Sequence, residues 1–298
     1  MLTQIIKEIK LTNSESAGGY MAIKIVTDSS ITIDPELLKE LDITVVPLSI
    51  TIDGVTYMGG DLSLDDFMAK MKAAKNLPKT SQPSVGLFSE TYEKLTAIGD
   101  EVISIHLTSG LSGTVEAARQ GALISGREVT VLDSDFTDQA LAFQVVEVAQ
   151  MAQSGAGKEE ILKRINEIRQ KTELFIGISN LENLVKGGRI SKTQGLIGNL
   201  LNVRVVMEFK NRSLENPIRG RGTKTFIKWL EEKVSAIRQS GQKIKEIGIS
   251  HAEGLEMAER AKEMLQEFVE KPISIMQTGS IIATHTGAGA WAIMIRYE

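Results

Sequence analysis

Four short stretches gather the residue types that could handle an anion. "HLTSGLSGT" (His106 to Thr114) places two serines, two threonines and two glycines between an apolar run and an Ala-rich one. "TSQPS" (Thr80 to Ser84) is a second hydroxyl-rich stretch, with Pro83 fixing its backbone. "KGGRIS" (Lys186 to Ser191) sets a cation after two glycines, where Arg189 could pair an anion bidentately. "THTGAGAW" flanks His285 with threonines and glycines, a setting poor for packing and good for meeting a ligand. Ser112 is not a nucleophile-elbow serine, because Gly110-Leu111-Ser112-Gly113 has the wrong second glycine spacing. A strand, a small-residue turn and a helix start do match an anion site built from free backbone N–H groups and hydroxyls. An ordinary strand-to-helix turn remains the other reading of the same residues.

Several other chemistries are disfavoured. "SGAGKEE" (Ser154 to Glu160) lacks the phosphate-loop pattern, with Ala152 and Glu159 where Gly and Ser or Thr are needed, and reads as a helix end followed by a helix start. No dinucleotide fingerprint follows a strand and opens a helix. The three histidines are isolated in sequence, so no metal site is expected; His106 reads as a core residue, and His251, ending a strand, can face a cleft. There is no cysteine, which removes thiolate chemistry and fits a cytoplasmic location. The net charge of -4, from 34 basic and 38 acidic residues, gives no general pull on nucleic acid. Arg212, Arg219, Arg221, Lys224 and Lys228 form a local basic run, either a solvated face or a docking surface for an acidic partner.

The elements that must position these stretches alternate from strand to helix. With 42% hydrophobic and 24% charged residues, the chain has the composition of a globular protein. From Ala22 it runs through "IKIVTDS", the capped helix "DPELLKELD", "ITVVPLSITI" and a turn in "DGVTY". A second block places "LFIGISN" before a β-hairpin around Asn211 and Arg212, and ends in the strands "PISIMQTG" and "AWAIMIRYE". The alternation predicts an α/β fold of two α/β domains with mostly parallel sheets. The expected division is a flexible lead-in over 1–20, domains over 21–165 and 166–298, and a closing segment, 285–298, returning to the interdomain site. The lead-in has no signal-peptide core, since Lys7, Glu8 and Lys10 break its apolar residues, and no stretch approaches the ~20 apolar residues that span a bilayer.

Taken in order, "IVTDSS", "TSQPS", "LTSGLSGT", "LENLVKGGRIS", the "RGRGTKT" region and "HTGAGA" resemble the DegV family of bacterial fatty-acid-binding proteins over residues 22 to 298. The sequence departs from the family's usual Ser at Thr108, and from its usual Pro at Val205 and Ala288. The resemblance implies two α/β domains with a long-chain fatty acid buried between them, no catalysis by the chain itself and no cofactor. It implies that Thr80, Ser112 and His285 hold the carboxylate with Arg189 as the nearby cation. Ser81, Ser109, Gly113, Thr114, Thr286 and Gly287 would support them. Arg221 would face a partner fatty acid kinase, which makes an acyl phosphate for phospholipid synthesis; transient membrane contact is compatible with that role. Two other readings stand beside it: a serine hydrolase using Ser112 and His285, and a regulatory domain for a small anion.

Overall fold

A computed structural model describes residues 22–97, 99–190 and 203–298, so the expected lead-in over 1–20 and Ser191 of "KGGRIS" lie outside the described residues. The first part of the chain runs β1 (Ile23–Asp28), α1 (Pro35–Glu40), β2 (Thr44–Val46), β3 (Ser49–Ile52), β4 (Val55–Met58), α2 (Leu64–Ala73), β5 (Lys79–Ser81), α3 (Val85–Leu95), β6 (Glu101–His106), α4 (Thr114–Ser125), β7 (Val129–Asp133), α5 (Asp138–Gln153) and α6 (Lys158–Gln170). The second runs β8 (Thr172–Ile178), α7 (Glu182–Lys186), β9 (Val203–Lys210), β10 (Ser213–Arg221), α8 (Lys224–Ser240), β11 (Ile244–Ala252), α9 (Leu255–Leu265), β12 (Ile275–Gln277), α10 (Ser280–Thr286) and β13 (Ala290–Tyr297).

Local chemistry sets many of these boundaries. Asp34, Ser63 and Ser84 each accept a backbone N–H of the following turn and so open α1, α2 and α3. Asp53-Gly54 and Asn211-Arg212 all have positive φ, the geometry that lets two residues join β3 to β4 and β9 to β10. "SGAGKEE" spans the end of α5 and the start of α6. Among the described residues no helix is long and apolar enough to cross a membrane.

The fold is α/β, built on two main sheets. The first has the order β2-β1-β6-β7 and is parallel throughout. The second has the order β10-β9-β8-β13-β11-β12 and is mixed: β11 and β12 are parallel, the other pairs antiparallel. Parallel pairing is therefore complete in the first sheet and limited to β11–β12 in the second. The difference arises because β13, the last strand, inserts between β8 and β11, a non-local pairing that strand-helix alternation does not encode. A small antiparallel sheet, β4-β3-β5, leaves the first unit and packs towards the second.

Strand alternation separates the apolar cores. On β13, Trp291, Ile293 and Ile295 face a core shared with α8 and α9, while Ala290, Ala292 and Met294 face the opposite one. That opposite core also receives Leu174 and Ile176 from β8, Met207 and Phe209 from β9, Ile50 from β3 and Phe67 from α2. It lies between the two main sheets, and a cavity opens within it. Behind it, buried Arg296 on β13 pairs with Glu246 at 2.7 Å and with Glu147 on α5. Burial works against the Glu147 charge, but Arg296 and Arg164 hold its carboxyl below the usual range.

His106 is a core residue. Its Nδ1 lies 3.0 Å from Asp28 Oδ2 and its Nε2 2.7 Å from Ser104 Oγ, which in turn meets Tyr92 Oη at 2.8 Å. Asp28 Oδ2 also accepts the Leu107 N–H at 2.9 Å, so this buried chain ties β1 to the foot of the loop that follows β6. Removing the acceptor strands several buried donors, whereas removing the terminal hydroxyl leaves Ser104 with His106. Asp28→Ala is therefore expected to cost roughly 3–5 kcal/mol and Tyr92→Phe about 1 kcal/mol in urea unfolding. Equal costs would show that the chain does not act as a linked network.

Candidate functional site

Four loops from different elements meet at one cavity of about 350 Å³, within the range of small-molecule sites. Thr80 lies in β5, which is short and held by pairing with β3. Ser112 and Gly113 end the loop before α4, whose N-cap is Gly113. Arg189 follows α7, and His285 sits in the last turn of α10. Asn183 on α7 donates to the Thr284 carbonyl at 2.9 Å and so fastens α10 beside α7.

Contacts among these loops close into a ring. His285 Nε2 lies 2.8 Å from Thr80 Oγ1. On its other side the imidazole packs against Gly187, where a Cβ would approach Nδ1 to 2.6 Å. From the same α7 turn, Arg189 donates to the Gly187 carbonyl at 2.6 Å and across the cavity to the Leu111 carbonyl at 3.2 Å. Gly113 completes the circuit against Gln82, since a Cβ there would lie 2.2 Å from Gln82 Oε1. At Gly187 the Asn183 carbonyl oxygen is also within 2.8 Å of such a Cβ, so close approach requires glycine there, whereas at Gly113 the neighbour is the mobile end of Gln82.

Each hydroxyl in the ring is backed by a second group. Ser112 Oγ lies 2.9 Å from Thr114 Oγ1 and accepts the Thr114 N–H at 3.3 Å. Thr114 is fully buried, so its O–H has Ser112 Oγ to donate to, which leaves the Ser112 proton free to point outward. Burial, reinforced by the Arg189 charge, pulls His285 down to about 4, so the ring is neutral at neutral pH. Its Nδ1 and the Thr286 Oγ1 are buried without a hydrogen-bond partner among the described residues. Arg189 is half-buried and bonded to backbone carbonyls, with no carboxylate pairing it among the described residues. Desolvation depresses its pKa, the signature of a cation lacking a counter-charge.

The remaining wall is apolar: Leu48, Leu107, Leu111, Ile176, Phe209 and Ile281 line it with other aliphatic side chains. Thr80, Ser81, Ser112, Gly113, Arg189, His285 and Thr286 all reach this cavity. Ser109, Thr114 and Gly287 do not line it; Ser109 is turned towards Asp133, Thr114 lies behind Ser112, and Gly287 caps α10. Arg221 is exposed at the end of edge strand β10, with no ion-pair partner among the described residues. His251 instead borders a small adjoining cavity of about 30 Å³, as does Asp138.

Sequence reasoning missed Gln82, Asp138 and α10. Asp138 is buried with Ser250 Oγ and Thr278 Oγ1 donating at 2.6 and 2.7 Å; desolvation still raises its pKa. An acid opening a helix ordinarily reads as a first-turn charge, and its partners lie more than a hundred residues away. The seven-residue α10 is too short to show a helical period. No cluster of three or more metal-ligating side chains forms among the described residues.

Residues 22–298 match a family profile described as "uncharacterised protein, DegV family". The DegV domain-containing protein YejH of Lactococcus lactis subsp. lactis is 67% identical over 278 residues, 93% of this chain and 100% of that protein. A solved structure described as fatty acid binding of a DegV family protein from Thermus thermophilus superposes with a TM-score of 0.85 at 27% identity, covering 93% of this chain and 100% of the other. DegV from Bacillus subtilis, described as a fatty acid binding protein, gives 0.83 at 29% identity, over 94% and 100%.

A neutral buried imidazole makes the fold acid-sensitive. Because the folded pKa of about 4 lies below the ordinary histidine value of 6.5, unfolded chains take up the proton first as pH falls. The contribution of His285 is complete above pH 6.5 and is lost progressively down to about pH 4. It amounts to on the order of 3 kcal/mol across that window. Urea unfolding at a series of pH values is expected to show a steeper loss in the wild type than in His285→Gln; parallel curves would contradict the assignment.

Proposed function

This chain belongs to the DegV family, and we propose that it binds one long-chain fatty acid and presents its carboxylate to a partner kinase. The observation that carries this reading is Arg189: a half-buried cation without a carboxylate partner among the described residues, beside hydroxyls, at a cavity whose wall is mainly aliphatic. A ligand that matches must bring one negative charge and a long apolar body. The DegV proteins from Thermus thermophilus and Bacillus subtilis, described as binding fatty acid, support the same class.

The donors can act as relays. With its proton on Nε2, neutral His285 donates to Thr80 Oγ1, leaving the Thr80 O–H to donate to the ligand. Thr114 does the same for Ser112. A carboxylate beside an alkyl chain needs such bonds, because desolvating it unpaired is costly. Each buried methylene contributes ~0.8 kcal/mol, so a C16 chain gives roughly 10 kcal/mol before ordering costs. The acid in this reading leaves as an acyl phosphate for phospholipid synthesis. Its carboxylate oxygen attacks the γ-phosphorus of ATP on the kinase, and ADP departs.

The hydrolase alternative needs a hydrogen bond from Ser112 to a base. His285 Nε2 is engaged by Thr80 Oγ1 and makes no bond to Ser112, so that pair is not formed. A regulatory site for a small anion leaves the apolar wall without a use.

Organic extraction of the natively purified protein, followed by mass spectrometry, is expected to yield about one acyl chain per protein. Ser112→Ala is expected to weaken fatty-acid binding roughly tenfold or more, as for a hydrogen bond to a charged group. Repeated absence of any acyl chain, or unchanged binding in Ser112→Ala, would count against the carrier reading. For the kinase, Arg221→Glu is expected to leave acid binding intact while slowing acyl-phosphate formation in a coupled assay. Equal rates with both proteins would remove Arg221 from the docking surface.

A further inference from the structure

Arg212 belongs by sequence to an exposed basic run, yet the structure turns it back towards the cavity loop. It is the second residue of the β9–β10 turn, with φ of 62°. Its Nε lies 2.6 Å from Asp135 Oδ1 and 3.5 Å from Asp133 Oδ2. Asp133 is nearly buried at the end of β7, and the same Oδ2 receives the Ser109 N–H at 3.0 Å and the Ser109 O–H at 2.6 Å. The next residue is touched by the turn itself: a Cβ on Gly110 would lie 1.7 Å from the Arg212 carbonyl oxygen. The residue after that, Leu111, gives its carbonyl to Arg189. Consecutive residues leading to Ser112 are therefore each held by a group outside the loop, and Arg212 and Arg189 both come from the second half of the chain.

We propose that Arg212 is a positioning residue for carboxylate recognition, acting through Asp133 and the Ser109–Leu111 backbone to aim Ser112 Oγ into the cavity. The inference rests on the fatty-acid reading above. Geometry supplies one reason: Asp133 orients Ser109 with both bonds on one oxygen, and the hairpin turn covers Gly110. Charge supplies another. Asp133 and Asp135 put two carboxylates behind a loop meant for an anion, and they are offset there by Arg212 together with Arg169, whose Nε lies 3.3 Å from Asp135 Oδ2. The hairpin is also a wall of the cavity, since Phe209 and Leu214 on either side of its turn line it. One turn thus shapes the apolar wall and the polar loop together.

The test separates head-group recognition from general loosening. Delipidated protein is titrated with cis-parinaric acid and with its methyl ester, which keeps the chain and removes the charge. Arg212→Gln is expected to weaken the acid by roughly fivefold, the upper range for a partly exposed ion pair, with ester affinity and melting temperature unchanged. Arg212→Lys, which keeps the cation, is expected to recover most of the loss. If acid and ester weaken together, or neither weakens, Arg212 does not position the head-group loop. If the wild type itself binds acid and ester alike, the carboxylate reading falls first and this inference with it.

Discussion

A half-buried guanidinium whose hydrogen bonds, among the described residues, all go to carbonyl oxygens is an unfinished electrostatic arrangement. Arg189 reaches one carbonyl on its own turn and another, Leu111, on a loop of the first unit. Those carbonyls satisfy its donors but not its charge. In the low-dielectric space between the sheets an anion is worth more here than at the surface. The rest of the site follows from that constraint: apolar wall, neutral imidazole and hydroxyl donors leave the cation with no competitor for its partner. Asp138, the carboxyl at the adjoining small cavity, does not fill the role, because its oxygens are already taken by Ser250, Thr278 and the Gln139 N–H.

The architecture serves this arrangement by bringing loops from both main sheets to one place. The parallel sheet contributes the loop after β6, as parallel α/β sheets commonly do at their strand ends. The small sheet contributes Thr80, and the mixed sheet contributes the wall and, through the segment before β13, His285. Insertion of β13 between β8 and β11 is what returns the chain terminus to the centre of the molecule. Its inward face carries Ala290 and Ala292, which border the small adjoining cavity, while its outward face carries Trp291 and Ile293 to anchor the strand.

Features set by a few neighbouring residues were legible in the sequence. The Asp53-Gly54 and Asn211-Arg212 turns, the Ser63 cap, the helix start at Thr114 and the core placement of His106 all depend on local chemistry or pattern. The hydroxyl and histidine loops stood out by composition, but that they share a cavity came from the family resemblance, since Thr80 and His285 are 205 residues apart. Arg212 shows the limit most clearly. Nothing near it in sequence distinguishes it from Arg219 or Arg221, and its partners Asp133 and Asp135 are supplied by the turn after β7. The mixed pairing of the second sheet is unreadable for the same reason, because it depends on where the final strand inserts.

The neutrality of His285 bears on what kind of binding such a site can perform. An imidazolium beside Arg189 would make a doubly charged sink for a carboxylate, and a carrier that must surrender its ligand gains nothing from that depth. Burial and Arg189 together keep the proton off, so in the proposed complex the imidazole would act through its hydrogen bond to Thr80 rather than through charge. In the proposed complex this assigns affinity mainly to the alkyl chain, whose contribution is non-directional and grows with length. The polar end then supplies orientation and discrimination against uncharged lipids. Such a division leaves the carboxylate held by neutral donors and a single cation, a setting from which a phosphoryl acceptor can still react.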